Sequence, residues 1–402
     1  MMNTPMAERM NHIAGSVIRK FAEKAATDPT LITFANGNPS AVTFPVEDMK
    51  RFYDEALTTG YSESLMQYGT VQGFMPLVNF LKERLAKKYS FDWGENDLFI
   101  VSGGTQAVDV ASKIWLDKGD TVIVEEPSYA SCYNIFRCYE AKLQGVPIGE
   151  DGIDVEAVEE VLKTNKTVKM IYTIPSFQNP TGFSTIIEKR KKLYELACKY
   201  DVVILEDDPY TELRFGGEEI NPIKSLDKDG RVFYTSSLSK VIAPSFRLGY
   251  LVVNKRFGQN VNICKQCMDV HSNTLGQYVA WGIMTKTDYD AHIKLAQEEY
   301  RRKSTLISET LKRTIHPSCK ISNPTGGMFI MMFMPDSIDA EDFVWKGIDR
   351  GVVCVPGSGF AIDGEKPSHS VRMCYSTAAD DQIVKGAEII GKLTWDMIEG
   401  KA

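Results

Sequence analysis

Short apolar runs recur through the middle of the chain, at 98–102, 121–125, 142–146, 168–174, 202–206, 232–236 and 248–253. Several are almost wholly apolar, as strands covered on both faces are. Between them the apolar positions fall three and four residues apart. The stretch 105–116 places Ala107, Val108, Val110, Ala111, Ile114 and Trp115 on one helical face, and 186–199 sets its charges opposite Leu193, Leu196 and Ala197. Strands alternating with helices predict an α/β domain around a mostly parallel, seven-stranded sheet. From about Asp288 the pattern changes. A long charged helix at 291–313 is followed by a strand at 328–334, a helix at 340–350, and strands at 352–355 and 370–375. The expected division is an N-terminal arm (1–45) packed with the small domain, a large domain (46–287), and a smaller α+β domain (288–402).

Composition narrows the function classes. The 402 residues carry 46 Lys and Arg against 53 Asp and Glu, a net charge of -7, which argues against a general nucleic-acid binder. No apolar run approaches the ~20 residues of a membrane span. The N-terminal stretch has no apolar core of a secretory signal, so the eight scattered cysteines read as reduced thiols of a cytoplasmic protein. Cys264 and Cys267 form a lone CxxC without the second pair that zinc usually needs, and the five histidines show no ligand spacing. No metal is expected.

In an open α/β sheet, ligands bind beyond the carboxyl ends of the strands, and the distinctive residues of this chain sit there. The first run ends in SGGTQ (102–106), the second in EEPSY (125–129), the fourth in PSFQNPTG (175–182), the fifth in EDDPY (206–210) and the sixth in SSLSK (236–240), with Arg247 seven residues on. Gly103, Gly104 and Thr105 open a helix and offer backbone N–H groups to an anion. Ser237, Ser239 and Arg247 add hydroxyls and a guanidinium fork. Tyr129 and Tyr210 supply an aromatic face and a phenol. Of the adjacent carboxylates only one can face the ligand, because neighbouring strand residues point to opposite sides. Lys240, in a cationic and desolvated pocket, would have a lowered pKa. Phosphate cradle, aromatic plate, carboxylate and activated amine together fit pyridoxal phosphate.

Tyr68, SGGTQ, Tyr129 after EEP, Asn179-Pro-Thr-Gly, Asp207-Asp-Pro-Tyr, Ser-Leu-Ser-Lys240 and Arg247-Leu-Gly, in this order and spacing, resemble the fold-type-I pyridoxal-phosphate-dependent aminotransferases of class I/II. The resemblance covers nearly the whole chain. FANGNPS, EDDPY and VRMCYS look most like the branch holding aromatic, kynurenine/2-aminoadipate and MocR-type catalytic domains. It implies a transaminase with Lys240 as the Schiff-base lysine and general base, Asp207 as partner of the ring nitrogen, and Asn179 and Tyr210 on the ring phenolate. It further implies that Arg372 clamps the substrate carboxylate with help from Asn179 and the backbone at Gly37. Arg19 matches a substrate-contacting position. Tyr68 matches a residue that reaches the partner's cofactor in a homodimer. 2-Oxoglutarate is the acceptor the family implies.

Two signals carry plainer readings. NPTG occurs twice, and the copy at 323–326 is expected to be a turn entering a small-domain strand. An arginine in an apolar strand, as Arg372 is, is costly unless paired, so a structural carboxylate is the alternative to a substrate. The same scaffold also supports a β-lyase, a decarboxylase or a cofactor-sensing regulator.

Overall fold

The computed structural model describes residues 6–13, 15, 17–58, 60, 62–364 and 366–401. Its large sheet comprises β1 (Asn96–Val101), β2 (Thr121–Glu126), β3 (Lys142–Gly149), β4 (Gly152–Ile153), β5 (Val168–Thr173), β6 (Val203–Asp207), β7 (Val232–Ser237) and β8 (Gly249–Asn254). The spatial order is β1-β8-β7-β6-β5-β2-β3-β4. Pairing is parallel from β7 through β6, β5 and β2 to β3. Strand β8 runs antiparallel to both β7 and β1, and β4 folds back on β3. All seven expected strands are present. The eighth, β4, is a two-residue return too short to carry a period.

The helices used below are α1 (Val17–Thr27), α2 (Gly104–Trp115), α3 (Ala130–Cys138), α4 (Val155–Thr164), α5 (Ile187–Tyr200), α6 (Gly258–Met268), α7 (Tyr289–Thr314), α8 (Ala340–Asp349) and α9 (Asp380–Ile398). Side-chain oxygens set several starts: Asp154 accepts from Ala157 N, Asp288 from Ala291 N and Asp339 from Asp342 N. Strand residues alternate between two cores. Ile123, Ile171, Ile204 and Val232 join the core beneath α4 and α5. Val122, Val124, Met170, Tyr172 and Leu205 join the larger core on the opposite face, where α2 packs against β7 and β8. Asp207 lies two residues beyond Leu205, so the pleat aims it toward the α2 side.

The smaller unit holds an antiparallel sheet, β9 (Lys320–Ile321), β10 (Phe329–Phe333), β11 (Val355–Pro356) and β12 (Ser370–Cys374), in the order β9-β10-β12-β11. One expectation is corrected here. The run 352–355 is not one strand: it breaks at Cys354, and its halves pair with different partners. Val352–Val353 pairs in parallel with Ile32–Thr33 of the N-terminal arm, whereas Val355–Pro356 pairs with β12. The arm continues the contact, with Phe34 N donating to Val353 O and Cys374 N donating to Phe34 O. Helix α1 lies against the same unit through the Phe21–Trp345 ring pair and a Lys20–Glu341 salt bridge. Residues 8–12 contact α3 instead. Among the described residues, no helix is long and apolar enough to cross a membrane.

Candidate active site

The carboxyl ends of β1, β2, β5, β6 and β7, together with the arm and β12, enclose a cavity of about 430 Å³. The turn after β1 forms one end. Gly103 has φ +82, a backbone that favours glycine, and a Cβ there would stand 2.7 Å from Arg247 Nη2, so a side chain would displace the end of Arg247. Gly104 and Thr105, the first residues of α2, line the cavity beside Arg247. The Arg247 guanidinium donates to Ser102 O at 3.5 Å. Ser237 Oγ accepts from Ser239 N at 3.2 Å, which fixes the start of the 3-10 turn Leu238–Lys240. Both serines line the cavity.

Lys240 Nζ projects into the cavity and donates to Gly37 O at 2.8 Å. Burial lowers its pKa to about 8. Cys374 opposes that shift, and the positive charges of Arg372 and Arg247 add to it. Asp207 is buried and accepts from the Tyr172 hydroxyl at 2.9 Å. Burial pushes its carboxyl up to about 7, against the Tyr172 hydrogen bond, and the charges of Asp208 and Glu125 contribute to the rise. Asp208 accepts from the Tyr234 hydroxyl at 3.2 Å and does not line the cavity, so the two adjacent carboxyls part as the pleat requires. Tyr129 and Tyr210 both line the cavity, and burial pushes both phenols up.

Arg372 comes from β12, opposite Met331 and Val355. It is 2% exposed and stacked between the rings of Phe329 and Phe360, at 4.6 and 4.9 Å. Its guanidinium donates to Ala35 O and, at 3.3 Å, to Asn179 Oδ1. Among the described residues its Nε finds no hydrogen-bond partner. Among the described residues no carboxylate lies within 4.0 Å of it, so the structural ion pair that the sequence left open is absent. Gly37 and Asn38 close the same wall, and Arg19 of α1 stands at the rim, joined to Glu23 at 2.7 Å.

The cavity lining thus brings together Lys240, Asp207, Tyr210, Gly104, Thr105, Tyr129, Asn179, Ser237, Ser239, Arg247, Arg372, Gly37 and Arg19. Gly103 sits one layer behind, against Arg247. Tyr68 lies outside: it is 80% exposed, with its ring edge-on to His271 at 6.0 Å. The second NPTG packs behind the first, with Pro324 beside Gly182, and lines no part of the cavity.

Sequence reasoning missed several participants. Tyr172 holds Asp207, and its register two residues from Met170 on the Leu205 face was the available signal. Cys132, Ser131 and Phe329 line the cavity. Arg190 is among the charges of the helical stretch 186–199 that the sequence pattern sets opposite Leu193, Leu196 and Ala197. It is instead fully buried and donates to Thr185 O, Pro175 O, Asn221 O and Ser176 Oγ at 2.7–3.1 Å. These acceptors satisfy the guanidinium and fasten the loop that carries Asn179. Glu125, also fully buried, accepts from Thr173 Oγ1, Ile174 N and Gln178 Nε2, tying the loops after β2 and β5 together. No sequence pattern distinguishes such an inward charge from a surface one.

Residues 30–390 match the family model for aminotransferase class I and II. The chain belongs to that family. This aminotransferase is 34% identical to an aromatic-amino-acid aminotransferase of Thermococcus litoralis over 94% of its own length and 91% of the relative's. Its fold superposes on a kynurenine aminotransferase of Pyrococcus horikoshii with a TM-score of 0.93, at 34% identity and 97% coverage of both chains. It also matches LysN, the α-aminoadipate aminotransferase of Thermus thermophilus, solved with N-(5'-phosphopyridoxyl)-L-leucine, with a TM-score of 0.88, at 29% identity and 98% coverage of both. The aminotransferase is thus a fold-type-I, pyridoxal-phosphate-dependent enzyme, with the large mostly parallel sheet and smaller domain of that fold.

Proposed function

We propose that this enzyme moves the α-amino group of an L-amino acid to a 2-oxo acid, with aromatic and 2-aminoadipate-like donors and 2-oxoglutarate as acceptor. The named activities of the relatives support the donor class. Neither elimination nor decarboxylation is favoured by them. The eight free cysteines suit a cytoplasmic location.

The residues fit the cofactor. The glycine turn leaves no Cβ between Arg247 and the start of α2, the N–H groups and serines offer donors to a phosphate, and Asp207 and Lys240 stand as acid partner and amine in one cavity. In this reading Gly103, Gly104, Thr105, Ser237, Ser239 and Arg247 hold the phosphate, and Tyr129 covers one ring face. Asp207 keeps a proton on the ring nitrogen, Asn179 and Tyr210 bond the ring oxygen, and Lys240 is the covalent attachment point. When bound, pyridoxal phosphate supplies an electron sink for the pair left when the substrate Cα loses its proton. Lys240 Nζ, once the substrate amine has displaced it, would take that proton from Cα and deliver it to the cofactor carbon that had held the lysine, a role its lowered pKa suits. Arg372 and Asn179 orient the substrate by its α-carboxylate, which presents the Cα–H bond to Lys240. Both substrates use one cavity in turn, so the expected kinetics are ping-pong. The division proposed with it is an arm (1–45), a large domain (46–287) and a small domain (288–402), each of which contributes residues to the cavity lining.

Arg372 carries this reading. A guanidinium so deeply buried, with an idle Nε and no carboxylate beside it, is costly until an anion arrives. Arg372→Leu is expected to raise KM for amino acid and oxo acid alike by roughly 10²- to 10³-fold, the cost of losing one partner of a buried charge pair. Cofactor binding should remain. Unchanged KM values for both substrates would remove the assignment.

A further inference from the structure

Behind the turn after β1, on the side away from the cavity, a lysine is buried that the chemistry above does not use. Lys265 of α6 has a fully buried side chain. Its ammonium donates to Gln106 Oε1 at 2.9 Å, to Asp269 Oδ1 at 3.1 Å and to Ser272 Oγ at 3.2 Å. The same acceptors reach the turn itself. Ser102 Oγ donates to Asp269 Oδ2 at 2.9 Å, and Ser102 N donates to Gln106 Oε1 at 2.7 Å. Ser272 Oγ donates to Ile100 O at 3.4 Å, two residues upstream. Ser102 O accepts from Arg247 on the other side.

A buried ammonium is expensive unless fully partnered, and every partner of this one is either in the 100–106 segment or bonded to it. The cluster therefore spends its polar contacts on the conformation of one turn. That turn holds Gly103 at φ +82 and sets Gly104 and Thr105, the first residues of α2, against the cavity.

We infer that Lys265 and Asp269 are positioning residues for the cofactor phosphate, bracing the Ser102–Gln106 turn from behind so that its N–H groups are preset to receive the dianion. This rests on reading that turn as the phosphate site. Neither residue lines the cavity, so the brace acts through the turn alone. Its contribution belongs to affinity for the phosphate group and not to the amino-acid substrate.

The test uses the full-length enzyme, stripped of cofactor and titrated separately with pyridoxal phosphate and with pyridoxal, which lacks the phosphate, while absorbance is followed. Lys265→Met and Ser102→Ala are compared with the wild type. Ser102→Ala leaves the Lys265–Asp269 pair intact and guards against a folding defect in the other variant. The expected result is a loss of about tenfold or more in affinity for pyridoxal phosphate, the size of one unmade buried hydrogen bond to a charged group, with pyridoxal affinity unchanged. Unchanged pyridoxal phosphate affinity in both variants overturns the brace. An equal loss for the two ligands also overturns it, since that marks a general structural role. A wild type that binds pyridoxal as tightly as pyridoxal phosphate overturns the underlying phosphate reading along with it.

Discussion

Lys240 Nζ competes for its proton with burial and with two guanidinium groups, and its pKa falls to about 8 as a result. The sign has a direct consequence. An amine attacks a carbonyl only when neutral, so in cofactor-free enzyme the neutral fraction, and with it the rate of cofactor capture, rises as pH climbs through about 8. An ordinary lysine would delay that rise until near 10.5. Stopped-flow capture of pyridoxal phosphate between pH 6 and 10.5 should show a midpoint near 8, and a midpoint above 10 would contradict the desolvated pocket. At this scale the sequence was readable where chemistry is concentrated in short motifs. The pair Asp207 and Asp208 could be assigned by alternation, and Lys240 by its place between SSLS and Arg247. Tyr172, Arg190 and Glu125 were not readable in this way. Each is an unremarkable residue of a strand or helix whose role depends on which neighbour the tertiary fold brings against it.

Elements were legible in proportion to their length. The seven long strands and helices such as α2 and α5 repeat their pattern over enough residues to fix both type and face. Strands β4 and β9 have two residues each and no period to detect. The split at Cys354 was hidden for another reason: 352–355 is uniformly apolar, and only the change of partner from the arm to β12 divides it. Turns between elements were legible where glycine is obligatory, and the turn after β1 is the sharpest case. Gly103→Ala introduces a Cβ at positive φ and 2.7 Å from Arg247. That backbone, φ +82 with ψ 169, is essentially reserved for glycine and costs a residue with a side chain roughly 1–3 kcal/mol. The variant should melt a few degrees lower without cofactor, because 1 kcal/mol shifts a protein of this size by about 2–4 °C or less. It should also bind pyridoxal phosphate markedly less tightly, as a displaced Arg247 no longer completes the cradle. Wild-type cofactor affinity in Gly103→Ala would show that the turn does not need its present shape.

On the scale of the whole molecule, the cavity is assembled from strand ends, the arm near Gly37 and β12, so no single segment holds a working site. Tyr68 stands 80% exposed outside it, and Val42, Val46, Leu57, Met66 and Met75 are exposed apolar residues from the same part of the chain. The family resemblance implies that a second copy covers this surface and receives Tyr68 at its own cofactor. The overall α/β plan followed from the order of runs in the sequence. The rest of the cavity lining did not, because Ser131, Cys132 and Phe329 come from segments distant in the chain. If the proposed function holds, this cavity performs the first half of a transamination. The decisive measurement mixes the cofactor-loaded enzyme with single amino acids, aromatic and 2-aminoadipate among them, in the absence of any oxo acid, and follows absorbance and products together. The expected outcome is one equivalent of the matching 2-oxo acid per site and complete conversion of the cofactor to its aminated form, with no free ammonia or carbon dioxide. Continuous release of ammonia or carbon dioxide, with the cofactor spectrum returning to its starting state, would contradict it.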